Sequence, residues 1–242
     1  MTLLPSRYLK LPFSFDLVRL QTELSQLEKS EWIKHFNTSA YENDWLCLPL
    51  RSVGGSVDHI VPLNDGLFQD TVLLDACPYI QEILNFFACE KTSVRLMSLA
   101  AGAYIKPHRD SGASLDDGIT RLHIPITTTP DVLFTIDGED VHFSAGDVWY
   151  LNAACMHEVF NPGSESRVHL LIDCVTNEWL EKAFVDAGGV TRAAPIYGDP
   201  AIHDDNVSEV IALLRVAQGE AAANIADRLE AIRDSQLKDC RS

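Results

Sequence analysis

The sequence predicts a mainly β protein with helices: a β-sandwich or jelly-roll barrel, with helical support ahead of it and a helical appendage behind it. Three observations lead there. Between residues 92 and 175 short β-branched and aromatic runs alternate with turn residues, at the spacing of an all-β sandwich or barrel. Within two of those runs the alternation is strict, with Arg121 and His123 opposed to Leu122, Ile124 and Ile126, and Arg167, His169 and Leu171 opposed to Val168, Leu170 and Ile172. Outside them, Leu17, Leu20, Leu24 and Leu27 stand at helical spacing. Polar side chains then face the inside of a barrel whose outer face is itself covered. An interior of that kind houses a ligand.

In chain order, residues 1–13 read as extended and 14–30 as an amphipathic helix. Residues 43–62 read as strand, glycine turn and strand, and 76–89 as a helix with Pro78 in its first turn. The later strand candidates are TSVRLMSLA, ITRLHIPITTT, DVLFTID, DVHFSAGDVWYLN, MHEVFN and SRVHLLIDCV. Thr129-Pro130-Asp131, Asp137-Gly138-Glu139, Ala145-Gly146-Asp147 and Pro162-Gly163-Ser164 are the turns between them. After Cys174 the strand pattern stops, and a short helix from Asn177 to Ala187 ends at Gly188-Gly189. The expected organisation is a barrel domain over 1–188, a linker over 189–204, and two helices within 205–242 that form an appendage or a homodimer contact.

Composition narrows the function. A net charge of −16 argues against nucleic acid and anionic membrane as partners. None of the six cysteines forms a Cys-x-x-Cys pair, which argues against a zinc knuckle. No secretory signal stands at the N-terminus and no apolar run approaches the ~20 residues of a bilayer span, so a reducing cytoplasm is expected.

The chemistry centres on His108-Arg109-Asp110. A second histidine, His157, comes 49 positions later, and Arg167 ten beyond that. Two imidazoles and a carboxylate can take one face of an Fe(II) ion and leave the other open to a bidentate co-substrate and O2. His108 and Asp110, two apart, point the same way on a strand. The motif by itself is weak. A second His-x-Asp, His203 to Asp205, stands in a polar loop and reads as chance. A 2-oxo acid would chelate the metal through its keto oxygen and near carboxylate. Its far carboxylate then needs a buried cation, and the guanidinium fork of the inward-facing Arg167 suits it. Arg121 and His123 face the same interior and can hold the co-substrate or substrate. Arg51 has two readings, a surface arginine at a strand end or an anion and substrate contact at a pocket mouth. His59, His142 and His169 read as structural.

The runs RLMSLAAGAYIKPHRD and RLHIPITTTPDVLFTIDGEDVHFSAGDVWYLNAACMHEVFNPGSESRVHLLIDC resemble the aspartyl/asparaginyl β-hydroxylase family of Fe(II)/2-oxoglutarate oxygenases, over roughly residues 40–178. The resemblance implies a double-stranded β-helix. It also implies metal ligation by His108 and His157, an Arg167 pairing with the far carboxylate of 2-oxoglutarate, and an Arg121-x-His123 strand near the other end of that co-substrate. The family's membrane-anchored branch lacks the triad carboxylate, whereas Asp110 is present here. The soluble proline cis-4-hydroxylase-like branch is therefore the more similar in pattern. The resemblance thus leads to the expectation of a hydroxylase using Fe(II), 2-oxoglutarate and O2 on a free, proline-like amino acid or similar small molecule, releasing succinate and CO2. Hydroxylation of a peptidyl side chain, a non-catalytic jelly-roll binding module and a cupin with another metal remain the alternatives.

Overall fold

In the computed structural model, which describes residues 2–3, 6–61, 66–192, 196–199, 201–217 and 219–239, the alternating runs are strands of two antiparallel sheets. Parts of the extended 1–13 stretch, of the 189–204 linker and Cys240 lie outside the described residues. Contacts group residues 3–190 into one unit and 191–242, with 1–2, into another.

The elements of the larger unit are β1 (Tyr8–Ser14), α1 (Leu17–Gln26), β2 (Trp45–Val53), α2 (Pro78–Phe86), β3 (Lys91–Leu99), β4 (Tyr104–His108) and β5 (Ile119–Thr127). They continue with β6 (Leu133–Ile136), β7 (Glu139–Val141), β8 (Asp147–Leu151), β9 (His157–Phe160), β10 (Arg167–Val175) and α3 (Glu178–Asp186). The major sheet runs β1-β8-β5-β10-β3-β2, with Ile33–Lys34 and Phe68–Asp70 paired to β2. The minor sheet runs β7-β6-β9-β4, closed by Tyr41–Glu42.

The two faces of the major sheet divide as the alternation requires. Leu48, Leu96, Leu122, Ile124, Ile126, Val168, Leu170 and Ile172 face outward, and with residues of α1, α2 and α3 they form the largest apolar cluster. Burying each such side chain contributes about 1.5–3 kcal/mol relative to exposure. The opposite face carries Arg95, Arg121, His123, Arg167, His169 and Asp173, all buried. It looks across to an apolar floor that includes Ile105, Phe134, Ile136, Phe143, Leu151 and Val159.

The helices are held by their ends. Asp16 accepts from the backbone N–H of Val18 and Arg19 at the start of α1. Cys77, the residue before α2, makes no side-chain cap. Buried Glu23 of α1 takes that part, accepting from the N–H of Tyr79 (2.5 Å) and Ile80 (2.9 Å). Asn177 caps α3, whose last turn closes on Gly188 at φ +87°.

Two expectations are corrected. The strand expected to return within 43–62 does so later, at Phe68–Asp70, because residues 54–61 form turns and coil instead. The 189–204 stretch is not only linker. Tyr197 is 4% exposed and belongs to the core of the smaller unit, with Val207, Ile211, Ala226 and Leu229 of α4 (Val207–Val216) and α5 (Glu220–Asp239). The Tyr197 hydroxyl donates to Asp204 at 2.7 Å, which explains how a polar, proline-rich stretch keeps an aromatic buried. No helix of the described residues is long and apolar enough to cross a membrane.

Candidate metal centre

His108 ends β4 and His157 begins β9. The two strands pair in register at that point, His157 opposite His108. The imidazole centroids lie 4.2 Å apart. Asp110 stands just past the strand end rather than on it. Its backbone N–H donates to the carbonyl of Ala153 at 2.8 Å, which turns the residue back toward the histidines. One donor atom from each of His108, Asp110 and His157 lies within 4.8 Å of the others, and among the described residues this is the one cluster of three such groups. His203 and Asp205 belong to no such cluster.

The donor set fits a divalent metal, and the backbone has already chosen the tautomers. Nδ1 of His108 lies 2.8 Å from the Lys106 carbonyl, and Nδ1 of His157 lies 2.9 Å from that of Cys155. A carbonyl only accepts, so each Nδ1 donates and Nε2 is the nitrogen left to meet a metal. Burial, with His108 beside it, lowers the His157 pKa to about 4, so that ring is neutral at physiological pH. Burial alone would raise the Asp110 carboxyl, but Arg121 and the two imidazoles outweigh it and hold it below its ordinary value.

Behind the triad stands a buried ion-pair chain. Arg121 donates to Asp173 through Nε at 2.7 Å and Nη2 at 3.2 Å, and to Asp110 Oδ2 through Nη1. Arg95 donates to the same Asp173 at 2.8 Å and to the Ile60 carbonyl at 3.2 Å. Arg167 differs. It is 4% exposed, has no acidic partner among the described residues, and its guanidinium lies 5.2 Å over the Phe134 ring. Burial pushes its pKa down to about 9. A buried cation without a counter-charge is costly unless an anion arrives.

These side chains share one cavity. His108, Asp110, His157, Arg121, His123 and Arg167 line a space of about 50 Å³. It adjoins an outer pocket of about 250 Å³ through Trp45, Met97, His108, Asp110, Arg121 and Leu171, which line both. The outer pocket adds His35, Phe36, Asn37 and Arg95. His35 stacks on Trp45 at 3.7 Å, and the Nδ1 of His35 and Nε of Arg95 are buried without a partner.

Arg51 is the sequence candidate that the structure places elsewhere. Its guanidinium donates to Asp70 at 2.5 Å and to the carbonyls of Lys91 and Phe68 at 2.9 and 3.0 Å. It lines a different pocket, with Glu90 and Lys91. The cause is a bulge between Pro49 and Arg51, which sets Arg51 opposite outward-facing Val94. Arg51→Ala is therefore expected to leave turnover within about twofold and cost about 1–2 kcal/mol of stability through the lost hydrogen bonds, read by denaturant unfolding beside steady-state rates.

Sequence pattern does not single out Arg95, Asp173, Trp45 or His35. Arg95 and Asp173 carry a usable signal, since each is charged and sits mid-strand on the inward parity of β3 and β10. Trp45 and His35 carry none.

The buried histidines make stability depend on pH. Burial, with Arg95 nearby, lowers His35 to about 4. Burial also lowers His169, and burial with Arg121 and Arg167 lowers His123 well below the ordinary value. Below pH ~6.5 the unfolded chain takes up protons that the folded rings refuse. Stability is therefore expected to fall as pH drops through that value, by up to about 1.4 kcal/mol per pH unit for each ring. Unfolding of the metal-free protein across pH 4–8 checks this, and a flat profile would contradict the neutral, buried rings.

Comparison with known proteins agrees with the geometry. Residues 15–177 match the aspartyl/asparaginyl beta-hydroxylase family model. An L-proline cis-4-hydroxylase of Rhizobium meliloti (strain 1021) is 29% identical over 161 residues, covering 66% of this chain and 57% of its own length. An L-proline cis-3-hydroxylase of Streptomyces sp is 27% identical over 180 residues, covering 71% and 62%. The chain thus spans about three fifths of the length of the curated relatives it matches. An oxidoreductase of the 2OG-Fe(II) oxygenase family from Burkholderia pseudomallei superposes with a TM-score of 0.51 at 17% identity, over 71% of this chain and 86% of that one, which shows the shared fold.

Proposed function

We propose, from the premise that this chain belongs to the aspartyl/asparaginyl β-hydroxylase family, that it is an Fe(II)- and 2-oxoglutarate-dependent hydroxylase of a free, proline-like amino acid. The observation that carries the reading is the pairing, in one cavity, of a three-donor cluster with a buried arginine lacking any acidic partner among the described residues. A pure binding module needs neither. The Rhizobium and Streptomyces relatives are L-proline hydroxylases, which supports the substrate class.

His108, Asp110 and His157 would hold the iron, which supplies the activation of O2. Arg167 binds the far carboxylate of 2-oxoglutarate, and neutral His123, whose buried Nε2 has no partner, offers a hydrogen bond inside the same cavity. Arg121 keeps Asp110 ionised and oriented. Met97, Leu171 and Trp45 form the apolar wall between the two spaces and exclude water from the reacting end. The outer pocket, at about 250 Å³, has room for a small molecule the size of an amino acid. Asn37 and His35 line that pocket and offer the amino acid polar contacts, beside Arg95, whose charge is already met by Asp173.

The test is succinate release with Fe(II), 2-oxoglutarate and ascorbate against free amino acids and short peptides, with products screened for one added oxygen. Turnover stimulated by a free amino acid, proline first, is expected. Stimulation by peptides alone would move the reading to a peptidyl hydroxylase. The absence of both turnover and 2-oxoglutarate binding would leave the binding module.

A further inference from the structure

The two oxygens of Asp110 have different neighbours. Oδ2 accepts from Arg121, while Oδ1 faces the metal space, 3.7 Å from Nε2 of His108. Asp110 itself is half-exposed, with 37% of its side chain accessible, and the one side-chain hydrogen bond to its carboxylate among the described residues comes from Arg121. Arg121 does the fixing, and it can do so because its own plane is locked by Asp173, 2% exposed, which accepts from both Nε and Nη2. A two-point arginine–carboxylate contact leaves the guanidinium almost no rotational freedom. The third edge of the fork, Nη1, then lies where Oδ2 must sit.

We infer that Asp173 is a positioning residue for the metal ligand Asp110: through Arg121 it confines that carboxylate to one oxygen toward the metal, leaving the remaining positions to the co-substrate. The inference rests on the proposed metal site. Asp173 also receives Arg95 from the wall of the outer pocket, so one buried carboxylate ties the substrate side to the ligand side. Freed from Arg121, Asp110 could offer both oxygens and compete with the bidentate co-substrate.

The experiment titrates the whole protein with Co(II), following its visible absorption and a dissociation constant, with and without 2-oxoglutarate. Asp173→Asn keeps the shape and removes the charge. Because it leaves two buried arginines facing one neutral amide, Asp173→Asn is also combined with Arg95→Met, which restores the charge balance while still depriving Arg121 of its anchor. Either variant is expected to bind Co(II) about 10–100-fold more weakly, with a changed visible spectrum and a weakened response to 2-oxoglutarate. Residues that serve the fold alone would lower the melting temperature and leave the folded protein's Co(II) spectrum untouched. Co(II) affinity and spectrum unaltered in a folded variant would overturn the inference. His157→Ala separates the two readings: if the unmodified protein binds Co(II) no better than His157→Ala, the metal site itself is wrong and the inference falls with it.

Discussion

Arg167→Met is expected to make the metal-free protein more stable and the enzyme nearly inactive. Both effects have one cause. The guanidinium is buried on the inner face of β10, with burial lowering its pKa and no carboxylate among the described residues paired with it. Methionine fills much of the same volume without a charge to desolvate, so a gain of about 2 kcal/mol is expected. For a chain of this length that corresponds to a melting temperature higher by roughly 4–8 °C. In the enzyme proposed above the same charge would meet the far carboxylate of 2-oxoglutarate. Removing one partner of a buried, charged contact costs about 2–5 kcal/mol, so the apparent affinity for 2-oxoglutarate is expected to fall at least ~30-fold, with Co(II) binding in its absence little changed. Calorimetry and a 2-oxoglutarate titration read the two halves separately. A methionine variant with an unchanged Michaelis constant for 2-oxoglutarate would remove Arg167 from the co-substrate site.

Asp110→Ala carries the second large effect. It removes the one carboxylate of the cluster and leaves two imidazoles to hold a divalent cation. Turnover is expected to fall by ~1,000-fold or more, and metal affinity by ~100-fold or more. The fold should survive, because Asp110 is half-exposed and Arg121 keeps its contact with Asp173. The informative control is the other His-x-Asp. His203→Ala, in the turn before α4, is expected to leave turnover within about twofold, since a surface substitution away from the site changes little. Equal losses in the two variants would mean that the damage is to folding rather than to a metal.

The parts legible in the sequence were those governed by local periodicity. The alternation around Arg121–Ile126 and Arg167–Ile172 assigned each side chain to the correct face, because in a sheet covered on both sides an apolar residue and a buried charge cannot exchange places. His108 and Asp110 were legible because they stand two apart beside a strand, whereas His157, 49 positions on, was joined to them by the family resemblance rather than by any local pattern. What could not be read is pairing across strands. Asp173 meets Arg121 through the register of β10 with β5, and Arg95 through contacts between separate strands, quantities no stretch of chain contains by itself. Arg51 shows the converse. A period of two continues its parity inward from Cys47 and Pro49, but one bulge reverses it, and the bulge leaves no mark in residue type. Tyr197 is a third case, an aromatic buried by helices that come after it in the chain.

The site is divided between two carriers. All three donor residues lie on or just beyond β4 and β9, in the minor sheet, while Arg167, Arg121, His123 and Arg95 project from the major sheet. The rim of the outer pocket has a third origin, for His35, Phe36, Asn37, Ala40 and Val61 come from the segments flanking β2. Specificity and reactivity are consequently separable as heritable traits. Variation at the rim residues is expected to change which molecule the outer pocket accepts while leaving the donor cluster and Arg167 in place, because neither the donors nor Arg167 shares a strand with the rim. An engineer wishing to change what the outer pocket accepts would start there, and would leave β4, β9 and β10 alone.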